Sequence, residues 1–121
     1  MMWLLHGGGT ELTQELYAKF GMIYIPHGLM HMESGVRSHV PIRTADDYDG
    51  LMIRMSGIPQ GYILEKLGAS QVQLAGGEVY EALHLGTIDA AEFSAPNTDW
   101  GMGMQEVTEY WCTPGWHQTG N

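Results

Sequence analysis

Apolar residues recur at helical spacing near the start of the chain. Leu12, Leu16 and Phe20 are four residues apart, so they share one face of a predicted helix. Thr10 belongs to the residue types that cap helix N-termini, and Gly21 to those that end helices. The pattern therefore predicts a helix that begins after Thr10 and ends before Gly21.

Short apolar runs predict strands along the rest of the chain. They lie at residues 22–25, 40–42, 51–55, 72–74, 88–91 and 109–111. The run at 51–55 is the clearest, because it is apolar throughout except for Arg54, as a strand buried on both faces would be. Pro41 predicts an edge strand or an irregular segment at 40–42. Residues 27–35 have no clean period and predict a loop.

Helical segments alternate with these strands. Thr44 and Asp47 form a predicted capping box for one helical turn. Apolar residues at 63–67 predict a helix that Gly68 ends, and residues 97–107 predict a weak helix. Helix and strand that alternate at short spacing predict an α/β fold with a mainly parallel sheet.

Residues 76–93 combine a short helix, a glycine and a strand that ends on a carboxylate. We expect Leu85 to turn inward where the helix ends, and Gly86 to take the left-handed conformation that follows many helices. Glu92 ends the strand, a place where ligands are often contacted in open α/β folds. A solvated glutamate at a strand end is the alternative interpretation.

Length and charge restrict the functions open to the chain. Its 121 residues predict one domain or part of one. A net charge of −9 with five Lys and Arg counts against binding to nucleic acid or to an anionic membrane surface. Cys112 is the single cysteine, so there is no intrachain disulfide. No transmembrane-length run and no signal peptide are evident, which predicts a cytoplasmic protein or an internal piece of a longer one.

Arg54 is the most informative single residue. A guanidinium group is costly to bury unless it is paired, so Arg54 either pairs with an internal carboxylate or holds an anionic ligand. Glu33 and Glu92 would suit a hard cation such as Na⁺ or Ca²⁺, which prefers carboxylate and carbonyl oxygens. His27 and His31 are four apart but fall in a predicted loop, so a zinc site is not favoured.

Blocks of this sequence resemble one transporter family. Residues 41–54, PIRTADDYDGLMIR, are similar to the P-I-x-T-x-x-D-L-x-G-L-K-x-R segment of the DctP-like solute-binding proteins of TRAP (tripartite ATP-independent periplasmic) transporters. Residues 68–92 resemble the most recognisable block of that family, in the same order and spacing. Residues 3–9, WLLHGGG, and 110–117, YWCTPGWH, are similar to its branch that binds 2-oxo or 2-hydroxy monocarboxylates.

The resemblance implies roles for individual residues. In that branch a cation, Na⁺ or Ca²⁺, bridges the protein and the substrate carboxylate. By resemblance Arg54 would hold the carboxylate, Glu92 would offer its side chain to the cation, and Phe93 would offer its backbone carbonyl. The branch usually has Trp where this chain has Phe93, so packing of that side chain over the ligand does not carry over. A further cation ligand, usually Gln, corresponds to Glu33 without a gap or to His31 with a two-residue shift.

The resemblance covers the middle of a longer protein. A whole member has two α/β lobes that close on the ligand, so residues 1–121 would be a partial solute-binding domain with one cleft wall and hinge segments. The implied function is non-catalytic capture of a small organic acid anion, a 2-oxo acid, a lactate-like acid or a dicarboxylate. The full-length parent would be periplasmic and would deliver this anion to the membrane subunits of a TRAP transporter. A homodimer is a further possible assembly.

The partial length predicts weak substrate binding and low stability of the isolated chain. Ligand burial needs both walls, so we expect weak or no substrate binding by this chain alone. Open strand edges and apolar faces predict poor stability or aggregation. Two alternatives remain: a small metal-dependent enzyme with Glu33, His31 and Glu92 around a divalent ion, and an inactive gene fragment. Turnover with added metal would favour the enzyme, and saturable binding without product would favour the binding module.

Overall fold

The computed structural model describes residues 2–26, 32–113 and 115. The chain divides into two compact units, one of residues 1–31 with 119–121 and one of residues 32–118. His27, His31, part of the predicted loop at 27–35 and the end of the motif at 110–117 lie outside the described residues. Within the described part of the chain, no helix has both the length and the apolar character needed to cross a bilayer.

The described part of the first unit contains two helices, α1 (Met2–His6) and α2 (Gly9–Ala18). Helix α2 confirms the helix predicted from the apolar spacing, but Thr10 is not its N-cap. Gly8 holds that position with a φ of 78°, and the Thr10 hydroxyl instead donates to the carbonyl of Leu4 at 2.6 Å. The apolar residues that predicted the helix, Leu12, Leu16 and Phe20, are exposed.

The strand predicted at 22–25 is wrong. The side chain of Gln14 takes up the backbone groups that a neighbouring strand would otherwise pair. Its Oε1 accepts from the Tyr24 N–H at 2.7 Å, and its Nε2 donates to the Met22 carbonyl at 3.2 Å. The described segment therefore follows α2 without regular secondary structure.

The second unit is built on a mixed sheet. The described strands are β1 to β5, at Val36–Ser38, Met52–Arg54, Ser70–Val72, Ala90–Ala91 and Tyr110–Cys112. Their order across the sheet is β3-β2-β4-β1-β5. Strand β2 pairs in parallel with β3 and β4, and β1 pairs antiparallel with β4 and β5. The α/β class is therefore confirmed, with parallel pairing confined to one half of the sheet.

Helices connect and cover these strands. The second unit has helices α3 to α6, at Ile58–Lys66, Val79–His84, Pro96–Gly101 and Met104–Val107, and 3₁₀ turns at Ala45–Tyr48 and Gly76–Glu78. The predicted capping box is confirmed, since Asp47 Oδ2 accepts from the backbone N–H and the hydroxyl of Thr44 at 2.8 and 3.0 Å. The single helix predicted at 97–107 is instead two short helices, because Gly103 with a φ of 76° separates α5 from α6.

Apolar side chains pack on both faces of the sheet. One cluster includes Ile53, Leu64 and Ala90, and the other includes Leu83 and Ala91. Because neighbouring residues of a strand point to opposite faces, Ala90 and Ala91 of β4 contribute to different clusters. Strand β4 is thus fully buried and fixes the position of Glu92, the residue that follows it.

Three local predictions in the second unit have mixed outcomes. At 40–42 the irregular segment predicted from Pro41 is confirmed, and the nearest strand, β1, lies four residues earlier. The Ser38 hydroxyl donates to the Val40 carbonyl at 2.7 Å, and the chain turns away from the sheet. Leu85 is exposed rather than turned inward. The helix ends beside it, and Gly86 has the predicted left-handed conformation with a φ of 67°. Strand β3 forms two residues before its predicted start.

Candidate anion and cation site

The candidate site lies at the carboxyl ends of two neighbouring parallel strands. Arg54 ends β2 and is paired in register with Ala91 of β4. The next residue, Glu92, donates its backbone N–H to the Arg54 carbonyl at 3.0 Å. Parallel pairing therefore brings the arginine and the glutamate together at the carboxyl ends of the strands, where open α/β folds bind ligands.

Arg54 and Glu92 form a buried ion pair. Arg54 Nη1 lies 3.2 Å from Glu92 Oε2, and the two side chains are 11% and 2% exposed. The same Nη1 donates to the Glu92 carbonyl at 2.5 Å, and Arg54 Nε donates to the Leu74 carbonyl at 3.4 Å. The arginine is thus held by the protein, as the charge-pairing interpretation predicted.

Glu92 has one satisfied and one unsatisfied oxygen. Its Oε2 accepts from the backbone N–H and the hydroxyl of Ser56 at 3.1 and 3.2 Å, in addition to Arg54. Its Oε1 is buried and has no hydrogen-bond partner within the described part of the chain. A buried carboxylate oxygen without a donor is costly, so this atom is a candidate ligand for a cation.

Glu33 contributes a second carboxyl group beside Glu92. Burial raises the pKa of Glu92 above its usual 4.5, and the nearby Glu33 carboxyl raises it further, while Ser56 and Arg54 lower it. Two carboxyl groups that repel each other in a buried place are stabilised by a shared proton or by a cation. The structure therefore brings together two of the residues that the sequence nominated, Glu33 and Glu92.

Phe93 lies beside the arginine. Arg54 Cζ is 5.5 Å from the centre of the Phe93 ring, which allows a cation–π contact. A Cβ atom at Gly76 would come within 2.4 Å of this ring, so only glycine leaves room for it. The Phe93 side chain therefore packs against the candidate anion-binding arginine.

A small pocket opens beside Arg54. Its volume is about 210 Å³. It is lined by Arg54, Met55, Ser56, Gly57, Gln73 and Leu74. Residues of β2 and of the segment after β3 thus leave space for a small molecule next to the guanidinium group. Among the described residues, no three His, Cys, Asp or Glu side chains are grouped as a metal site, so any cation here would also need backbone or ligand oxygens.

A second buried charge pair was missed by the sequence analysis. Arg37 on β1 lies 3.8 Å from Asp99 on α5, measured from Nε to Oδ2, and both residues are buried. Burial raises the pKa of Asp99, and Glu92 raises it further, against the lowering effects of hydrogen bonds from Ser34 and Ser94 and of Arg37. The negative charge of Glu92 is therefore close enough to Asp99 to disfavour ionisation of its carboxyl group. The two residues of this pair are far apart in sequence, and no motif marks them.

An arginine, buried carboxyl groups and a small pocket at the ends of parallel strands are what a ligand-binding α/β domain presents. The comparison with protein families agrees with this class. The model of bacterial extracellular solute-binding proteins, family 7 (DctP), matches residues 2–120, and the chain belongs to that family. The resemblance found in the sequence is therefore confirmed.

Similar proteins of known function or structure come from the same family. A monocarboxylate 2-oxoacid-binding periplasmic protein from Nostoc sp. (strain PCC 7120) is 36% identical over 118 residues, which are 98% of this chain and 32% of that protein. A TRAP periplasmic solute-binding protein from Pseudoalteromonas atlantica T6c, solved with bound sodium and pyruvate, is 37% identical with a TM-score of 0.74. Another from Colwellia psychrerythraea, with bound calcium and pyruvate, is 36% identical with a TM-score of 0.77.

The chain spans about a third of the length of these relatives. The two structural matches cover 97% of this chain and 35% of each solved chain. The relatives are transporter solute-binding proteins, and their descriptions give a periplasmic location.

Proposed function

We propose that this chain is the portion of a TRAP solute-binding protein that contacts the carboxylate of a small organic acid anion and the cation bound with it. A 2-oxo acid such as pyruvate is the substrate class that the relatives favour. The proposal is one of capture without turnover, for delivery to the membrane subunits of a transporter by a periplasmic parent protein. One observation supports it most directly: the buried Glu92 Oε1 has no hydrogen-bond partner among the described residues. The same carboxyl group lies near Glu33, and its Oε2 is 3.2 Å from Nη1 of the anion-binding candidate Arg54.

Arg54 is the proposed carboxylate ligand. Its Nε and Nη1 are already used within the protein, which fixes the plane of the guanidinium group, and Arg54 is one of the residues that line the small pocket. A planar guanidinium group held in this way can donate to a carboxylate with little loss of side-chain entropy. The ion pair with Glu92 is consistent with this role, because the acid keeps the buried arginine compensated when no anion is bound.

Glu92, the Phe93 carbonyl and Glu33 are the proposed protein ligands of Na⁺ or Ca²⁺. Hard cations prefer carboxylate and carbonyl oxygens, which is the donor set these residues supply. A cation would also relieve the repulsion between the two carboxyl groups that raises the pKa of Glu92. Between the two alignments of the third ligand, these electrostatics support Glu33, and His31 lies outside the described residues.

The 121-residue chain is expected to bind a hard cation. Tb³⁺, which replaces Ca²⁺ at oxygen sites and emits when nearby tryptophan is excited, is expected to bind at one saturable site and to be displaced by Ca²⁺. Because one cleft wall alone is expected to bind substrate weakly, pyruvate is added at high concentration, where its oxygens should replace water molecules on the bound Tb³⁺. The Glu92→Gln variant should bind Tb³⁺ at least about 10-fold more weakly, since it loses a charged ligand.

Glu81→Gln is the matched control, because Glu81 is an exposed acid on α4 and its loss changes net charge equally. It should bind Tb³⁺ like the unmodified chain. Equal Tb³⁺ affinity of Glu92→Gln and the unmodified chain would overturn the proposed cation site. Tb³⁺ binding that pyruvate leaves unchanged would remove the anion part of the proposal for this chain.

The raised pKa of Glu92 should make the stability of the chain depend on pH. The folded chain takes up this proton at a higher pH than the unfolded chain, whose glutamate titrates near 4.5. Without added cation, the stability of the unmodified chain relative to Glu92→Gln should therefore rise as pH falls from neutral toward 4.5, and level off below it. Urea unfolding in the presence of a chelator measures this difference. A relative stability that falls over the same range would mean that the pKa of Glu92 is lowered instead.

A further inference from the structure

A buried carboxylate outside the proposed ligand set connects the two segments that carry the ligands. Asp99 is 1% exposed and lies in the middle of α5. Its Oδ2 accepts a hydrogen bond from the Ser34 hydroxyl, and its Oδ1 accepts one from the Ser94 backbone N–H at 3.1 Å. The Asp99 side chain thus hydrogen-bonds to Ser34 and to Ser94, which are 60 residues apart in sequence.

Both serines are next to proposed cation ligands. Ser34 directly follows Glu33, and Ser94 directly follows Phe93. The two serines are also joined to each other, because the backbone N–H and the hydroxyl of Ser34 both lie 2.6 Å from the Ser94 carbonyl oxygen. The Glu33 segment therefore cannot move away from the Glu92–Phe93 segment without breaking these contacts and those to Asp99.

Arg37, which packs against Trp111, lies beside the Asp99 carboxylate. Strand register puts Arg37 of β1 opposite Trp111 of β5, and the guanidinium carbon is 4.8 Å from the centre of the indole ring. Arg37 Nε, 3.8 Å from Asp99 Oδ2, supplies the opposite charge, although this Nε has no hydrogen-bond partner among the residues that the structure describes. A buried carboxylate with a nearby cation and two donors is a fixed anchor rather than a solvated group.

We infer that Asp99 is a positioning residue of the cation site, and that it acts through Ser34 and Ser94 to set the distance between Glu33 and the Glu92–Phe93 pair. This inference rests on the proposed function. Groups that orient metal ligands from behind commonly change metal affinity by about 10–100-fold when they are removed. Asp99 has the contacts such a group needs, on both ligand segments at once.

The test uses Tb³⁺ bound to the 121-residue chain, with its emission lifetime in H₂O and D₂O as a measure of coordinated water. Asp99→Asn keeps the side-chain volume but removes the charge and one acceptor. We expect about 10-fold or greater loss of Tb³⁺ affinity. We also expect more coordinated water on the bound ion, because Glu33 is no longer held in reach of it. Ser34→Ala, which keeps the charge of Asp99 and deletes one link, should also raise the water count.

An exposed acid of the same unit serves as the control for Asp99→Asn. Asp46→Asn removes an exposed acid of the 3₁₀ turn and should leave affinity and water count unchanged. Failure of the unmodified chain to bind Tb³⁺ overturns the proposed function. Normal binding by the unmodified chain, with affinity and water count unchanged in both Asp99→Asn and Ser34→Ala, overturns only the role of Asp99. If Asp99→Asn does not fold, as judged by circular dichroism, Ser34→Ala alone decides, and an unchanged water count rejects the inference.

Discussion

Replacing Arg54 with methionine is expected to lower the free energy of unfolding by about 3–5 kcal/mol, because the substitution leaves the Glu92 charge buried without its partner. Arg54 Nη1 and Glu92 Oε2 are 3.2 Å apart, and their side chains are 11% and 2% exposed. Burial already raises the pKa of Glu92, so the acid can escape part of the penalty by taking up a proton. The loss should therefore be largest at alkaline pH. Urea unfolding followed by circular dichroism measures it.

Two further variants make the Arg54 experiment specific. Arg43→Met removes an exposed arginine and should change stability little. The double variant Arg54→Met/Glu92→Gln should be more stable than Arg54→Met alone, since the glutamine carries no charge and still offers an acceptor to the Ser56 N–H. An Arg54→Met chain as stable as Arg43→Met would contradict the account of a buried, structurally necessary ion pair.

Gly35→Ala is expected to have a comparable or larger effect. A Cβ atom at Gly35 would lie 1.6 Å from the carbonyl oxygen of Cys112, which belongs to the backbone of β5 and cannot swing aside. Val36 and Cys112 are paired in the β1–β5 ladder, so the methyl group would force these strands apart at one end. Ordinary overpacking costs about 1–3 kcal/mol, and a clash with sheet backbone should reach or exceed that range.

The measurement for Gly35→Ala is the urea midpoint of the whole chain. Gly77→Ala is the matched control, because a Cβ atom there meets nothing within 4 Å and Gly77 is not among the glycines with a positive φ. Gly77→Ala should leave the midpoint nearly unchanged or raise it slightly. A Gly35→Ala midpoint equal to that of Gly77→Ala would mean that β5 is not held against β1 as described.

Features fixed by neighbouring residues could be predicted from the sequence. The Thr44–Asp47 capping box is a contact across three residues, and its hydrogen bonds at 2.8 and 3.0 Å are those the pattern indicates. The left-handed conformation of Gly86 follows equally from its place after a helix. Arg54 was recognisable because a charge inside an apolar run needs a partner, and Glu92 because it ends a strand.

Features that depend on distant residues could not be predicted from local patterns. Strand β1 contains Val36, Arg37 and Ser38, which have no apolar alternation, yet all are buried by β4 and β5. The link between Ser34 and Asp99 spans 65 residues, so no spacing along the chain indicates it. Residues 22–25 show the opposite case, in which an apolar run predicts a strand that does not form. The backbone of this run hydrogen-bonds to the side chain of Gln14 and not to a neighbouring strand.

The central place of β4 also bears on how the chain folds as it is synthesised. Strands β1 and β2 leave the ribosome before β4, but each hydrogen-bonds to β4 rather than to the other. Both therefore wait with an open edge until residue 91 has emerged, and contacts of such long sequence separation form slowly. Open edges attract other chains, so synthesis that stops before β4 is expected to leave a chain prone to associate with itself.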